Sequence, residues 1–144
     1  MNKTNQLNCI MLIDDNPDDN FYHQIIIEKF NPAIHIISME SATEALEYLT
    51  NNKEKAKHPN LIFLDVNMPG MNGWDFLEAY SKLDTSLQSN LIIIMLTTSD
   101  NTSDIEKAKK WNFVSEFKTK PVTKKLLEDI TEKYFEAKSE EIIK

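Results

Sequence analysis

Two runs in this 144-residue chain, Leu61-Ile62-Phe63-Leu64 and Leu91-Ile92-Ile93-Ile94-Met95, are apolar at every position. Neither alternates polar with apolar, and both are too short for a buried helix. An unbroken apolar run of this length fits a strand covered on both faces, which is the habit of parallel sheets. Cys9-Ile10-Met11-Leu12-Ile13 is a third such run. The runs end at charge: Asp14-Asp15 after the first, Asp65 after the second, and Lys120-Pro121 after Phe117-Lys118-Thr119. In a parallel sheet those ends share one edge, so the charged groups gather there.

Strand patterns recur at 8–13, 34–38, 60–64, 91–95 and 114–118, with helical patterns between them. Asn16-Pro17 supplies an N-cap and a first-turn proline, and Asn31-Pro32 ends that helix. Ser41 and Glu44 have capping-box spacing, and Ala42, Ala45, Leu46 and Leu49 then share a face. Phe76, Tyr80 and Leu83 mark a third helix, Ile105 and Ala108 a short fourth, and Leu127, Ile130 and Tyr134 a fifth. Five βα units joined by right-handed crossovers give an α/β fold, a doubly wound five-stranded parallel sheet between helices. There is no internal repeat or second-domain linker. The expected organisation is a tail at 1–7, one domain at 8–138 and a tail at 139–144, with no output domain.

Composition narrows the function. A formal charge of -7 and a pI near 5.0 argue against a nucleic-acid binder, which needs a basic patch. Only Gly70 and Gly73 occur, so no glycine-rich nucleotide loop exists. The lone Cys9 lies in a buried run and has a packing role. Residues 1–8 lack the apolar block of a signal peptide, and no run reaches the roughly 18 residues of a membrane span. A cytoplasmic protein with no membrane contact is expected.

Asp65 is the candidate nucleophile, since a carboxylate can take a phosphoryl group as an acyl phosphate. Asp65-Val66-Asn67-Met68-Pro69-Gly70 turns sharply at Pro69 and Gly70, which presents main-chain carbonyls near Asp65. Asp14 and Asp15 beside Asp65 would repel one another unless a cation sat among them. Mg²⁺ suits such oxygen ligands and keeps room for water and phosphate. Lys120 can pair with Asp65 and then stabilise transferred phosphate. Thr97-Thr98-Ser99 reads either as a helix-start cap or, beside the Asp65 loop, as a source of a hydroxyl for a phosphoryl oxygen.

This ordered set resembles the receiver domain of bacterial two-component response regulators, CheY-like, over residues 8–138. The matching motifs are Asp14-Asp15, Asp65 with Asn67-Met68-Pro69-Gly70 and Gly73, Thr97, and Lys120-Pro121. The resemblance implies the strand order 2-1-3-4-5. It makes Asp65 the phosphoacceptor, fed by a phosphohistidine on a sensor histidine kinase or histidine phosphotransfer protein. Asp15 and Asp65 would bind Mg²⁺ directly with the Asn67 backbone carbonyl, and Asp14 through water. Lys120 would contact the phosphoryl group, Thr97 would be the switch hydroxyl, and Phe117 the switch aromatic. Such a domain catalyses its own Mg²⁺-dependent phosphorylation and dephosphorylation but is otherwise a signalling module. The run from Asp14 to Asp19 and Thr97-Thr98-Ser99 look most like single-domain regulators, including those serving phytochrome-type kinases.

Thr98 and Trp111-Asn112-Phe113 depart from the family pattern, the first where a smaller residue is usual, the second where a Gly-Ala turn is usual. His23, His35 and His58 lack metal-ligand spacing and read as surface or packing residues. A phosphatase would need a general acid where Asn67 stands. A flavodoxin-like cofactor binder would set its phosphate against the acids, and a scaffold would not need the site. The expected output is protein–protein contact through the fourth helix, fifth strand and fifth helix, where Lys107, Lys109, Lys118 and Lys124 stand against Asp104, Glu106, Glu116, Glu128 and Asp129. Such mixed charge suits reciprocal pairing in a homodimer. The alternative is a monomer that carries the signal to a separate downstream protein target.

Overall fold

The computed structural model describes residues 6–51, 58–68, 70–83, 91–97, 106, 109 and 114–135. Within them lie β1 (Cys9–Ile13), α1 (Pro17–Phe30), β2 (His35–Met39), α2 (Ala42–Asn51), β3 (Leu61–Asp65), α3 (Gly73–Ser81), β4 (Ile92–Thr97), β5 (Val114–Thr119) and α4 (Lys124–Tyr134). The helix α4 is the fifth of the sequence pattern. Ile105 and Ala108, which mark the expected fourth helix, lie outside the described residues, as do Pro69, Thr98, Ser99, Asp104, Lys107 and Trp111-Asn112-Phe113.

All five strands are parallel in the order β2-β1-β3-β4-β5. The apolar runs are split between two cores by the alternation of side chains along a strand. Met11, Ile13, Ile62, Leu64, Ile93 and Met95 pack toward α2 and α3 with Ala45, Leu49, Phe76 and Tyr80. Ile10, Leu12, Leu61, Phe63, Ile94 and Leu96 pack toward α1 and α4 with Ile27, Leu127 and Ile130. Burial on both sides is why these runs stay apolar until the strand ends, Asp65 in β3 and Thr97 in β4.

Local signals set the helix ends. The Asn16 side chain accepts from the N–H groups of Asp18 and Asp19, Pro17 opens α1, and the Asn31 N–H ends it on the Ile27 carbonyl. Ser41 Oγ accepts from the Glu44 N–H at 3.1 Å. A full capping box joins Asn72 and Asp75 at the start of α3. One feature of β5 has no counterpart in the sequence pattern. Its pairing slips between Ile93 and Ile94, so Ser115 is an extra residue and Phe117 comes opposite Met95. The bulge sets which face Phe117 joins.

Candidate functional site

The alternation that sorts the core also sorts the site. Asp14 follows β1 on the α1 side, Asp65 ends β3 on that same side, and Lys120 follows β5 there too. Thr97 and Phe117 share parity with Met95 and so belong to the α2–α3 side. Chemistry and the expected switch residues therefore occupy opposite faces of one sheet edge.

Backbone bonds hold the strand ends in place. The Asp14 N–H donates to the Met39 carbonyl, the Val66 N–H to Leu96, and the Lys120 N–H to Thr97 at 2.7 Å. The Lys120–Pro121 peptide is cis. Gly70 has φ +72, a left-handed turn that a side chain resists. At Gly73 the constraint is space, because a Cβ there would stand 2.8 Å from the Asp65 carbonyl oxygen. The Gly73 N–H also donates to the Val66 carbonyl at 3.0 Å, so α3 begins directly against the Asp65 turn.

Asp14, Asp15 and Asp65 each place a carboxylate oxygen within 4.8 Å of the others. Asp14 and Asp65 are buried and Asp15 is exposed. The Lys120 ammonium meets Asp14 Oδ2 at 2.6 Å, Asp19 Oδ2 at 2.9 Å and Asp65 Oδ1 at 3.3 Å. Burial pushes the Asp65 carboxyl from 3.8 up to about 6, and the Asp14 charge adds to this. Lys120 and the Asn67 backbone N–H pull it back. Burial disfavours the Lys120 ammonium. Hydrogen bonds to Asp14 and Asp19, with the charges of Asp14 and Asp65, outweigh that and hold its pKa above the ordinary lysine range.

The cluster fits a hard divalent cation. Its donors are all carboxylate oxygens, the set Mg²⁺ takes. Among the described residues, Asp14 Oδ2 is buried without a hydrogen bond of standard geometry, and the Lys120 ammonium meets it as an ion pair. A cation beside it would complete its surroundings.

Asp19 and Asn20 are the site residues that the sequence reading missed. Asn20 is buried, and its Nδ2 donates to the Asp14 carbonyl at 2.9 Å and the Met39 carbonyl at 3.3 Å. It ties the ends of β1 and β2 together. The signal lay in the helix start: α1 opens two residues after Asp15, so its first turn returns to that strand end. His23, one turn further, is also buried. Desolvation first, then Lys120, lowers its pKa, against a pull upward from Asp14 and Asp19. His35 is exposed, and His58 Nδ1 lies 3.2 Å from the Pro59 carbonyl.

A family profile for the response regulator receiver domain matches residues 10–132, most of the chain. The protein belongs to the receiver domain family. Among similar proteins, response regulator Rcp1 of Synechocystis sp. is 28% identical over 105 residues, covering 72% of this chain and 70% of Rcp1. A two-component response regulator from Cytophaga hutchinsonii superposes with a TM-score of 0.81 at 27% identity, covering 89% of this chain and 96% of the other. The bacteriophytochrome response regulator AtBRR gives a TM-score of 0.68 at 28% identity, covering 86% and 89%. In this receiver, Asp14, Asp15 and Asp65 form the acidic triad typical of the family's Mg²⁺ site. No helix among the described residues is long and apolar enough to cross a membrane.

Proposed function

We propose that this receiver, spanning 8–138, takes a phosphoryl group on Asp65 from phosphohistidine of a histidine kinase or phosphotransfer protein. The observation that carries the reading is Lys120, whose ammonium bridges Asp14 and Asp65 inside the acidic triad. Asp15, Asp65 and the Asn67 carbonyl are the proposed direct Mg²⁺ ligands, with Asp14 acting through water. When bound, the cation supplies charge neutralisation for phosphoryl oxygens approaching a carboxylate. An Asp65 carboxylate oxygen forms the new P–O bond as the P–N bond breaks, and that electron pair stays on the imidazole nitrogen. Lys120 then pairs with the incoming phosphoryl oxygens.

The proposed readout lies on the other face. Thr97 is buried at the end of β4, opposite Thr119, with Phe117 on the same face. Bonding of the Thr97 hydroxyl to a phosphoryl oxygen draws it inward and shifts Phe117, a change of population between two arrangements. The outcome is altered protein–protein contact. Some of the charge expected for a reciprocal dimer surface is engaged within the protomer. Glu116 takes Lys133 at 2.9 Å, the Tyr134 hydroxyl at 2.8 Å and Lys118 at 3.3 Å. This favours a separate downstream protein over a homodimer. The likeness to AtBRR and the motifs of α1 support a phytochrome-type kinase as donor.

Incubation with acetyl phosphate and Mg²⁺ tests the reaction. Intact mass is expected to rise by one phosphoryl group, with no rise in EDTA. Labelling at an equal rate in EDTA would contradict the role given to the cation.

A further inference from the structure

An ammonium has three N–H donors and no acceptor. In this receiver three carboxylates surround the Lys120 ammonium, at 2.6 Å from Asp14, 2.9 Å from Asp19 and 3.3 Å from Asp65. Asp14 and Asp65 belong to the acidic triad. Asp19 does not: it lies in the first turn of α1, with its side chain 40% exposed at the rim, whereas the Asp14 and Asp65 side chains are 5% exposed. Its contact with Lys120 is a direct hydrogen bond across 101 residues of sequence.

We infer that Asp19 is a positioning residue for phosphoryl transfer, which draws the Lys120 ammonium toward the rim and away from Asp65. This rests on the reading of Asp65 as phosphoacceptor. Asp65 has the longest of the three contacts, and it is the group that must attack phosphorus. An ammonium seated fully between Asp14 and Asp65 would occupy the oxygens wanted by the cation and the nucleophile. Opposite charges at such separations attract strongly where water is sparse, so an outward counter-pull is needed. Asp19 provides it, and it has no other assigned task during transfer. Its own charge is supported by its place in the first turn of α1. Asp18, the neighbouring acid in the same first turn, serves as the control.

The test is a double-mutant cycle between Asp19→Ala and Lys120→Met, read by two measurements. One is the acetyl phosphate labelling rate at saturating donor. The other is Mg²⁺ affinity by calorimetry, which needs no chemistry. Asp19→Ala is expected to lower both by roughly ten-fold, the size of an ordinary coupling between contacting charges. Asp19→Glu is expected to recover most of the loss, and Asp18→Ala to change neither measurement comparably. In the Lys120→Met background, removing Asp19 should leave Mg²⁺ affinity nearly unchanged, because there is no ammonium left to hold back. An equal loss of affinity in that background would show a plain field effect and overturn the proposal. Wild-type rate and affinity in Asp19→Ala would overturn it as well. A wild-type protein that takes no label at all would instead remove the phosphoacceptor reading, and this inference with it.

Discussion

Trp74 stacks on Phe117, with ring centroids 6.5 Å apart and planes 13° from parallel. Trp74 directly follows Gly73, where a Cβ would stand 2.8 Å from the Asp65 carbonyl oxygen. The Asp65 turn, the start of α3 and the proposed switch aromatic are therefore in continuous contact. Offset aromatic pairs of this kind are worth about 0.5–1.5 kcal/mol beyond area burial. Movement of Phe117 must change the surroundings of the indole. In a Trp111→Phe background, Mg²⁺ with beryllofluoride is expected to shift Trp74 emission. Phe117→Ala should abolish the shift, and its survival in that variant would separate Trp74 from the switch.

Thr97 is proposed to relay the signal without making it. Thr97→Ala should then label at Asp65 within a few-fold of the wild-type rate while losing the Trp74 emission change. If the variant keeps the full emission change, the hydroxyl is not the relay.

Gly73 tests the contact between α3 and the Asp65 turn. A Cβ there meets the Asp65 carbonyl oxygen at 2.8 Å and Val66 Cα at 3.0 Å, both backbone atoms that yield little. Gly73→Ala is expected to cost about 1–3 kcal/mol of stability, as overpacking does. A denaturant midpoint equal to wild type would show that the turn is softer than this packing implies.

Asp65 makes stability depend on pH in a stated direction. Its carboxyl titrates near 3.8 when unfolded and near 6 when folded, so the folded state holds the extra proton between those values. Without cation, stability therefore falls as pH rises through that window, and ionised Asp65 is a cost above it. Asp65→Asn mimics the neutral acid. In EDTA at about pH 8 it is expected to be more stable than wild type by about 1–3 kcal/mol, and by nothing below about pH 4. Mg²⁺ should stabilise wild type more than the variant. Equal stability of the two proteins in EDTA at the higher pH would contradict the burial of charge at Asp65.

Much of this was legible in the chain. The unbroken apolar runs of β1, β3 and β4 announced strands covered on both sides, and the charged residues ending them announced the site. The strand order came from resemblance, because no residue pattern encodes which strand lies beside which. The caps marked the ends of α1 but not its inner face, where polar Asn20 and His23 are buried while Phe21 and Tyr22 are exposed. The inner face there lines a polar site rather than an apolar core, so hydrophobicity points the wrong way. Asp18 and Asp19 look alike in sequence, and only the helix phase sets Asp19 beside Lys120. The stack of Trp74 on Phe117 depends on the bulge at Ser115, which no turn residue marks.

The central claim is that Asp65 carries the phosphoryl group. Borohydride reduces an acyl phosphate to the alcohol, so a phosphorylated aspartate becomes homoserine. After reaction with acetyl phosphate and Mg²⁺, then reduction and peptide mapping, homoserine is expected at position 65 alone, and Asp65→Asn should yield none. Homoserine at position 14 or 15 in the wild type, or undiminished labelling of Asp65→Asn, would contradict the account.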